Sequence, residues 1–155
     1  MSESRPKKYY WEDFAVGTVR EFGGMTLEKA DIVRFARDWD PQPFHVDEEA
    51  AKRSPYGGLI ASGWQTCAAA MRMCCDAYLL DAASVGSPGV ENVRWVKPVR
   101  PGDTLKVRLE VLDARPLKSK PGVGLVKNRW QLFNQDGEEV MQMEGYGMFL
   151  QRPRG

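Results

Sequence analysis

SGWQTCAAAMRMCCDAYLL, residues 62–80, is the stretch on which the fold turns. Ser62 is a good helix cap, because its hydroxyl can accept from a free N–H of the first turn. No proline or glycine interrupts the run after Gly63, so the pattern predicts a long helix from about Gly63 to Leu80. Cys67, Met71, Cys74 and Tyr78 recur at helical spacing, and Ala68, Ala69 and Ala70 keep much of the remaining surface small. A helix that is apolar or small almost all round is a buried one.

The period changes on the C-terminal side, after Pro88. Val93, Trp95 and Val99 alternate with polar neighbours such as Asn92 and Arg94. Leu105, Val107, Leu109 and Val111 alternate with Thr104, Lys106, Arg108 and Glu110. Val126, Trp130 and Leu132 do the same with Lys127, Arg129 and Gln131. Asp136-Gly137 is a hairpin signal, and a last strand follows from Glu138 to Leu150. The C-terminal half therefore reads as antiparallel sheet with one apolar face, and the buried helix is the element available to cover that face. This is an α+β arrangement: a single hot-dog domain, an antiparallel sheet wrapped round a long central helix.

Upstream, residues 1–8 read as a flexible tail and 9–152 as the domain. The aromatic segment Tyr9–Phe14 is expected to pack on the domain, and a short strand is predicted over Gly17–Gly24. Thr26 is the expected cap of a helix from Leu27 to about Asp38, which must end before Pro41. Pro41 and Pro43 make residues 40–45 read as a stiff, irregular segment. Asp47 should cap a short helix through about Lys52, with a loop over Ser54–Gly58.

The totals narrow the function classes. At 155 residues, 43% hydrophobic and 28% charged, the chain suits one globular domain. A net charge of +1 argues against a dedicated nucleic-acid binder. No apolar run approaches the roughly 20 residues that span a bilayer, and the polar N-terminus resembles no secretory signal, so a cytoplasmic protein is expected. Cys67, Cys74 and Cys75 make a poor disulfide framework and read as reduced core-fillers, with no metal site expected. Residues 94–129 hold ten Lys/Arg against three Asp/Glu. That excess fits either solvated outer faces of strands or a docking surface for an anionic ligand.

His45 is the single histidine, so any imidazole chemistry near neutral pH must use it. Asp40 lies five residues upstream on the proline-stiffened segment. A carboxylate and an imidazole fixed together suit general acid–base work, although a lone histidine is often merely structural. Gly58-Leu59-Ile60-Ala61-Ser62-Gly63 leads into the long helix. Free N–H groups at such an entry can stabilise negative charge on a thioester oxygen, or can form an ordinary helix start.

Asp40, Pro43, Phe44 and His45, with Gly63 eighteen residues beyond His45, resemble the motif of the MaoC-like (R)-specific enoyl-CoA hydratase family. Gln42 stands where that family usually has Asn, and Ser62 where many members have His. The likeness extends through Arg94–Asp103, the Leu117–Pro121 turn and the Asp136-Gly137 hairpin, and so over nearly the whole chain. The resemblance implies a homodimeric hydro-lyase acting on a trans-2-enoyl-CoA, needing neither metal nor cofactor. Asp40 and His45 would hold the water, and the Gly63 N–H would polarise the thioester carbonyl. The basic excess of residues 94–129 separately makes Lys118 and Lys120 candidates for contact with CoA. Alternative readings are a dehydratase of acyl-carrier-protein thioesters and a non-catalytic acyl-CoA-binding protein. A thioesterase is disfavoured because residues 63–75 contain no carboxylate.

Overall fold

The computed structural model describes residues 6–154. It contains β1 (Val19–Thr26), α1 (Lys29–Trp39), α2 (Pro43–Val46), α3 (Glu48–Lys52), α4 (Gly63–Ala77), β2 (Ser84–Gly86), β3 (Val90–Trp95), β4 (Thr104–Pro116), β5 (Val123–Phe133) and β6 (Glu139–Leu150). Short 3-10 turns at Trp11–Asp13 and Leu79–Asp81 complete it. The strands form one antiparallel sheet in the order β1-β4-β5-β6, with β2 and β3 sharing the other side of β6. The chain has the hot-dog fold, with α4 laid against the concave face of this sheet.

Leu105, Val107, Leu109 and Val111 of β4 and Val126, Trp130 and Leu132 of β5 all point into the core, as their alternation predicts. Full burial of one such aliphatic side chain contributes about 1.5–3 kcal/mol. Phe14 closes one end of the core, its ring 4.4 Å from that of Phe149. Of the expected tail, residues 1–5 lie outside the described residues, and Lys8 already donates to the carbonyl of Asp81. Among the described residues no helix is long and apolar enough to cross a membrane.

Several local expectations need correction. Thr26 does not cap α1; it ends β1, with its hydroxyl bound to that of Thr104 at 2.6 Å. Glu28 is the cap, and its N–H donates to the Asp31 carboxylate. The strand shift comes from a bulge between Gly23 and Met25. Gly23 sits at φ +132°, and a Cβ there would meet the backbone of Lys106 at 2.9 Å, so glycine is required. Residues 43–46 form one helical turn rather than irregular chain. Pro43 occupies a first-turn position, where its missing N–H costs nothing.

The central helix is also buried differently. Gln65, Thr66, Ala69, Ala70, Met73 and Cys74 face the core, whereas Met71 is 47% exposed and Trp64 is 61% exposed. The small Ala69 and Ala70 face the sheet, and the longer Met71 points away. One flank of α4 therefore carries apolar side chains that the single subunit leaves uncovered.

Candidate active site

Pro41 ends α1 at Trp39, and the chain turns out of the helix at Asp40, whose N–H still donates to Ala36 O (2.8 Å). Gln42 caps α2, and one turn later His45 is buried at 4% exposure. His45 Nδ1 lies 2.7 Å from Ile60 O. A carbonyl only accepts, so Nδ1 carries a proton and Nε2 is the edge turned away from Ile60. Ile60 is fixed in turn, because its N–H donates to Phe44 O at 3.2 Å.

Nε2 faces Asp40 Oδ2 at 3.2 Å. The same oxygen accepts from Ser62 Oγ at 2.8 Å, and Asp40 Oδ1 accepts from Gln42 Nε2 at 2.7 Å. Burial pushes the Asp40 carboxyl up, but the hydrogen bonds from Gln42 and Ser62 and the nearby His45 outweigh it. Its pKa ends below the ordinary value, so Asp40 is a carboxylate at neutral pH. Gln42 thus supplies a hydrogen bond to the acid from the position where the family motif has Asn. Ser62 is fully buried and accepts from Trp64 N–H while donating to Asp40, which joins the cap of α4 to the acid.

Gly63 follows at the first position of α4, where an N–H has no acceptor within its own helix. Asp40, His45 and Gly63 line one cavity of about 400 Å³, together with Tyr56, Trp95 and Val140. The structure brings these three predicted residues together. It does not bring Lys118 and Lys120 to them. Both are exposed in the β4–β5 turn, beside the Leu150 end of β6, whereas the cavity meets β6 at Val140. Ten residues of strand separate the two places, about 33 Å at roughly 3.3 Å per residue. Lys97 lies at the cavity itself, paired with Glu138.

Among the described residues, four of the ten Lys/Arg in residues 94–129 meet carboxylates: Lys97 as above, and three on the strands. Arg108 approaches Glu21 and Glu110, Arg129 approaches Glu110, and Lys127 lies between Glu91 and Glu144. Among the described residues no group of three or more His, Cys, Asp or Glu side chains is disposed to hold a metal. The three cysteines are free thiols, and burial pushes the Cys74 pKa well up.

An acid and an imidazole on one cavity wall, beside a helix entry, are groups that can do acid–base chemistry next to an N–H able to face an anion. Residues 13–130 match the MaoC like domain family, and the chain belongs to that family. It is 39% identical to a MaoC-like dehydratase from Rhodospirillum rubrum, with a TM-score of 0.86 over 94% of this chain and 99% of that one. An (R)-hydratase from Pseudomonas aeruginosa is 26% identical, with a TM-score of 0.74 over 92% of this chain and 86% of that one. A 3-hydroxybutyryl-CoA dehydratase from Methylorubrum extorquens is 29% identical over 86% of this chain and 83% of its own. The proteins it resembles thus include hydratases and dehydratases.

Proposed function

We propose that the protein is a hydro-lyase that interconverts a trans-2-enoyl-CoA and its (R)-3-hydroxyacyl-CoA. The observation that carries this reading is the convergence of Asp40 Oδ2, His45 Nε2 and the first residue of α4 on one cavity. In hydration, Asp40 and His45 both hydrogen-bond one water molecule in the cavity. One of the pair takes its proton as the oxygen bonds to the β-carbon. The electron pair of the alkene moves onto the thioester as an enolate, which the Gly63 N–H stabilises. The pair then returns a proton to the α-carbon, so water is added with no net change in the protein. Dehydration is the same path reversed. No metal or cofactor takes part, and CoA enters as part of the substrate. The test is a panel of enoyl-CoA thioesters followed by loss of the enoyl-thioester absorbance; no turnover of any of them would refute the reading.

The phosphate-bearing arm needs a cationic seat. Lys97, which lines the cavity and is paired with Glu138, is a further candidate beside Lys118 and Lys120. Lys97→Glu should raise KM more than it lowers kcat, with an effect that shrinks as salt screens the charge. The reversals Lys118→Glu and Lys120→Glu, measured alongside, should move KM less. A larger rise for either would place the arm across a subunit boundary.

We further propose that the working form is a homodimer. The outer edge of β3 is unpaired among the described residues, Val90 and Trp95 on it are exposed, and so are Trp64, against Trp95, and Met71. Open edges and apolar patches of this kind are normally covered, most simply by a second copy about a two-fold axis. Light scattering should give about twice 17.5 kDa, and a species at 17.5 kDa would count against the assembly.

A further inference from the structure

Ile60 lies between the loop at residues 54–58 and the start of α4, in a stretch that is neither helix nor strand. Its carbonyl is the group that accepts from His45 Nδ1 at 2.7 Å. In irregular chain the aim of a carbonyl depends on what holds the backbone on either side. On the α4 side, Ala61 N–H donates to Val99 O at 2.8 Å. On the other side the holder is Arg100, 44 residues further along the chain than Tyr56. Its guanidinium donates from Nη2 to Tyr56 O at 2.6 Å and from Nη1 to Gly58 O at 3.3 Å. The two carbonyls flank Gly57, which turns the chain at φ +69°.

Arg100 is itself fixed. Its N–H donates to Asp103 Oδ2 at 2.9 Å, and its carbonyl accepts from Asp103 N–H at 3.0 Å. Pro101 and Gly102, the latter at φ +88°, fill the middle of that turn. Asp103 is buried, and its other oxygen accepts from Gln135 Nε2 at 3.0 Å. Among the described residues the guanidinium meets these two carbonyls and no carboxylate. A charged donor makes hydrogen bonds about twice as strong as a neutral one, and a planar fork can grip two acceptors at once. The connections run from Asp103 through Arg100 and the 56–58 turn to Ile60 O and His45 Nδ1. We propose that Arg100, which does not line the cavity, is a positioning residue for His45: its grip on Tyr56 O and Gly58 O holds Ile60 O against Nδ1 and so keeps the Nε2 edge on Asp40. The consequence for rate rests on the hydro-lyase reading above; the consequence for the imidazole does not.

His45 is the single histidine, so labelling histidine with nitrogen-15 leaves one imidazole to follow by NMR. In mildly alkaline buffer, where a free imidazole is neutral, the parent ring should be one species with its proton on Nδ1 and slow to exchange. Arg100→Met keeps much of the side chain's bulk but has no donor. Its ring should exchange the Nδ1 proton faster and show the tautomer with the proton on Nε2. Its kcat on an enoyl-CoA should fall by about 10–100-fold, and by more than KM rises, since misplacing a reacting group by about 1 Å can cost about a hundredfold. Arg100→Lys offers one point donor in place of the fork and should lie between the two. A parent ring with its proton on Nε2 overturns the proposal. So does an Arg100→Met protein with the parent's imidazole spectrum, even one of lower melting temperature, because the arginine then stabilises the fold without aiming His45. A changed spectrum with unchanged kcat overturns the link to catalysis. If the parent turns over no enoyl-CoA but Arg100→Met still changes the ring as described, the hydro-lyase reading fails and the positioning stands. If Arg100→Met does not fold, Arg100→Lys decides: the parent's spectrum and kcat in that variant overturn the proposal, and a shift of both supports it.

Discussion

Asp40→Asn and His45→Asn are each expected to lower kcat for a good enoyl-CoA by about 10²–10⁴, the usual cost of deleting a positioned acid or base. The geometry selects these substitutions. Asn at position 40 can still accept from Ser62 with its oxygen, and the Gln42 amide can turn to accept from its NH2 group. The hydrogen bonds survive and the base is lost. At position 45, an Asn amide nitrogen can replace Nδ1 and keep the bond to Ile60 O, while nothing replaces Nε2. His45→Gln is less clean. It places its polar group where Nε2 was and leaves a buried carbonyl unpaired, at a cost of about 1–3 kcal/mol. It should therefore lose both activity and thermal stability. Because both groups act on one water, the double variant should be little worse than the poorer single one. Near-normal turnover in His45→Asn would sink the mechanism, since the sequence has no second histidine to take over.

The same pair sets a pH signature. Asp40 has a lowered pKa in the fold, so it contributes stability that is fully present above its unfolded value of about 3.9. That contribution is lost as pH falls through the lower native value. The melting temperature of the parent should therefore drop toward that of Asp40→Asn only in strong acid.

Gly63→Ala is the second substitution expected to have a large effect. The new Cβ overlaps the Trp95 ring, so the indole must swing away or the first turn of α4 must shift. Loss of a well-aimed donor at an oxyanion site typically costs about 10²–10³ in kcat. Overpacking adds about 1–3 kcal/mol of instability. Adding Trp95→Ala restores the space and should recover part of the lost kcat on crotonyl-CoA. Unchanged kcat in Gly63→Ala would mean that the helix entry does not hold the thioester oxygen.

The parts of the site that can be read from sequence are those encoded locally. Asp40, His45 and Gly63 lie in a proline-stiffened turn and a capped helix entry, where spacing alone restricts the geometry. Sequence spacing does not reveal that the Ser62 hydroxyl turns back 22 residues to Asp40, or that Trp95 lies across Gly63 from 32 residues away. Such contacts depend on tertiary packing, and a cap residue before a glycine carries no mark of its second partner. The strand pattern placed the buried face of β4 and β5 correctly, because burial there repeats every second residue, but not that of β3, where Trp95 is exposed and Val93 only half-buried. It failed on α4 because the subunit buries only part of an almost uniformly apolar helix. Lys118 and Lys120 drew attention through a sum of charges along the chain. Such a sum ignores where carboxylates lie in space: Glu21 approaches Arg108, and Glu91 and Glu144 approach Lys127, whereas none of these three meets Lys118 or Lys120.

The links among Asp40, His45, Ile60 and Ser62 span only 5 to 22 residues of chain. Loops that short cost little entropy to close and tend to form early in folding. The opposite wall of the cavity, from Trp95 and Val140, belongs to strands made later in the chain. The pair is therefore expected to assemble before the cavity exists to enclose it. Folding to competence then waits on the far edge of the sheet docking against α4, so slow steps in β3 or β6 would delay activity while leaving the acid–base pair already made.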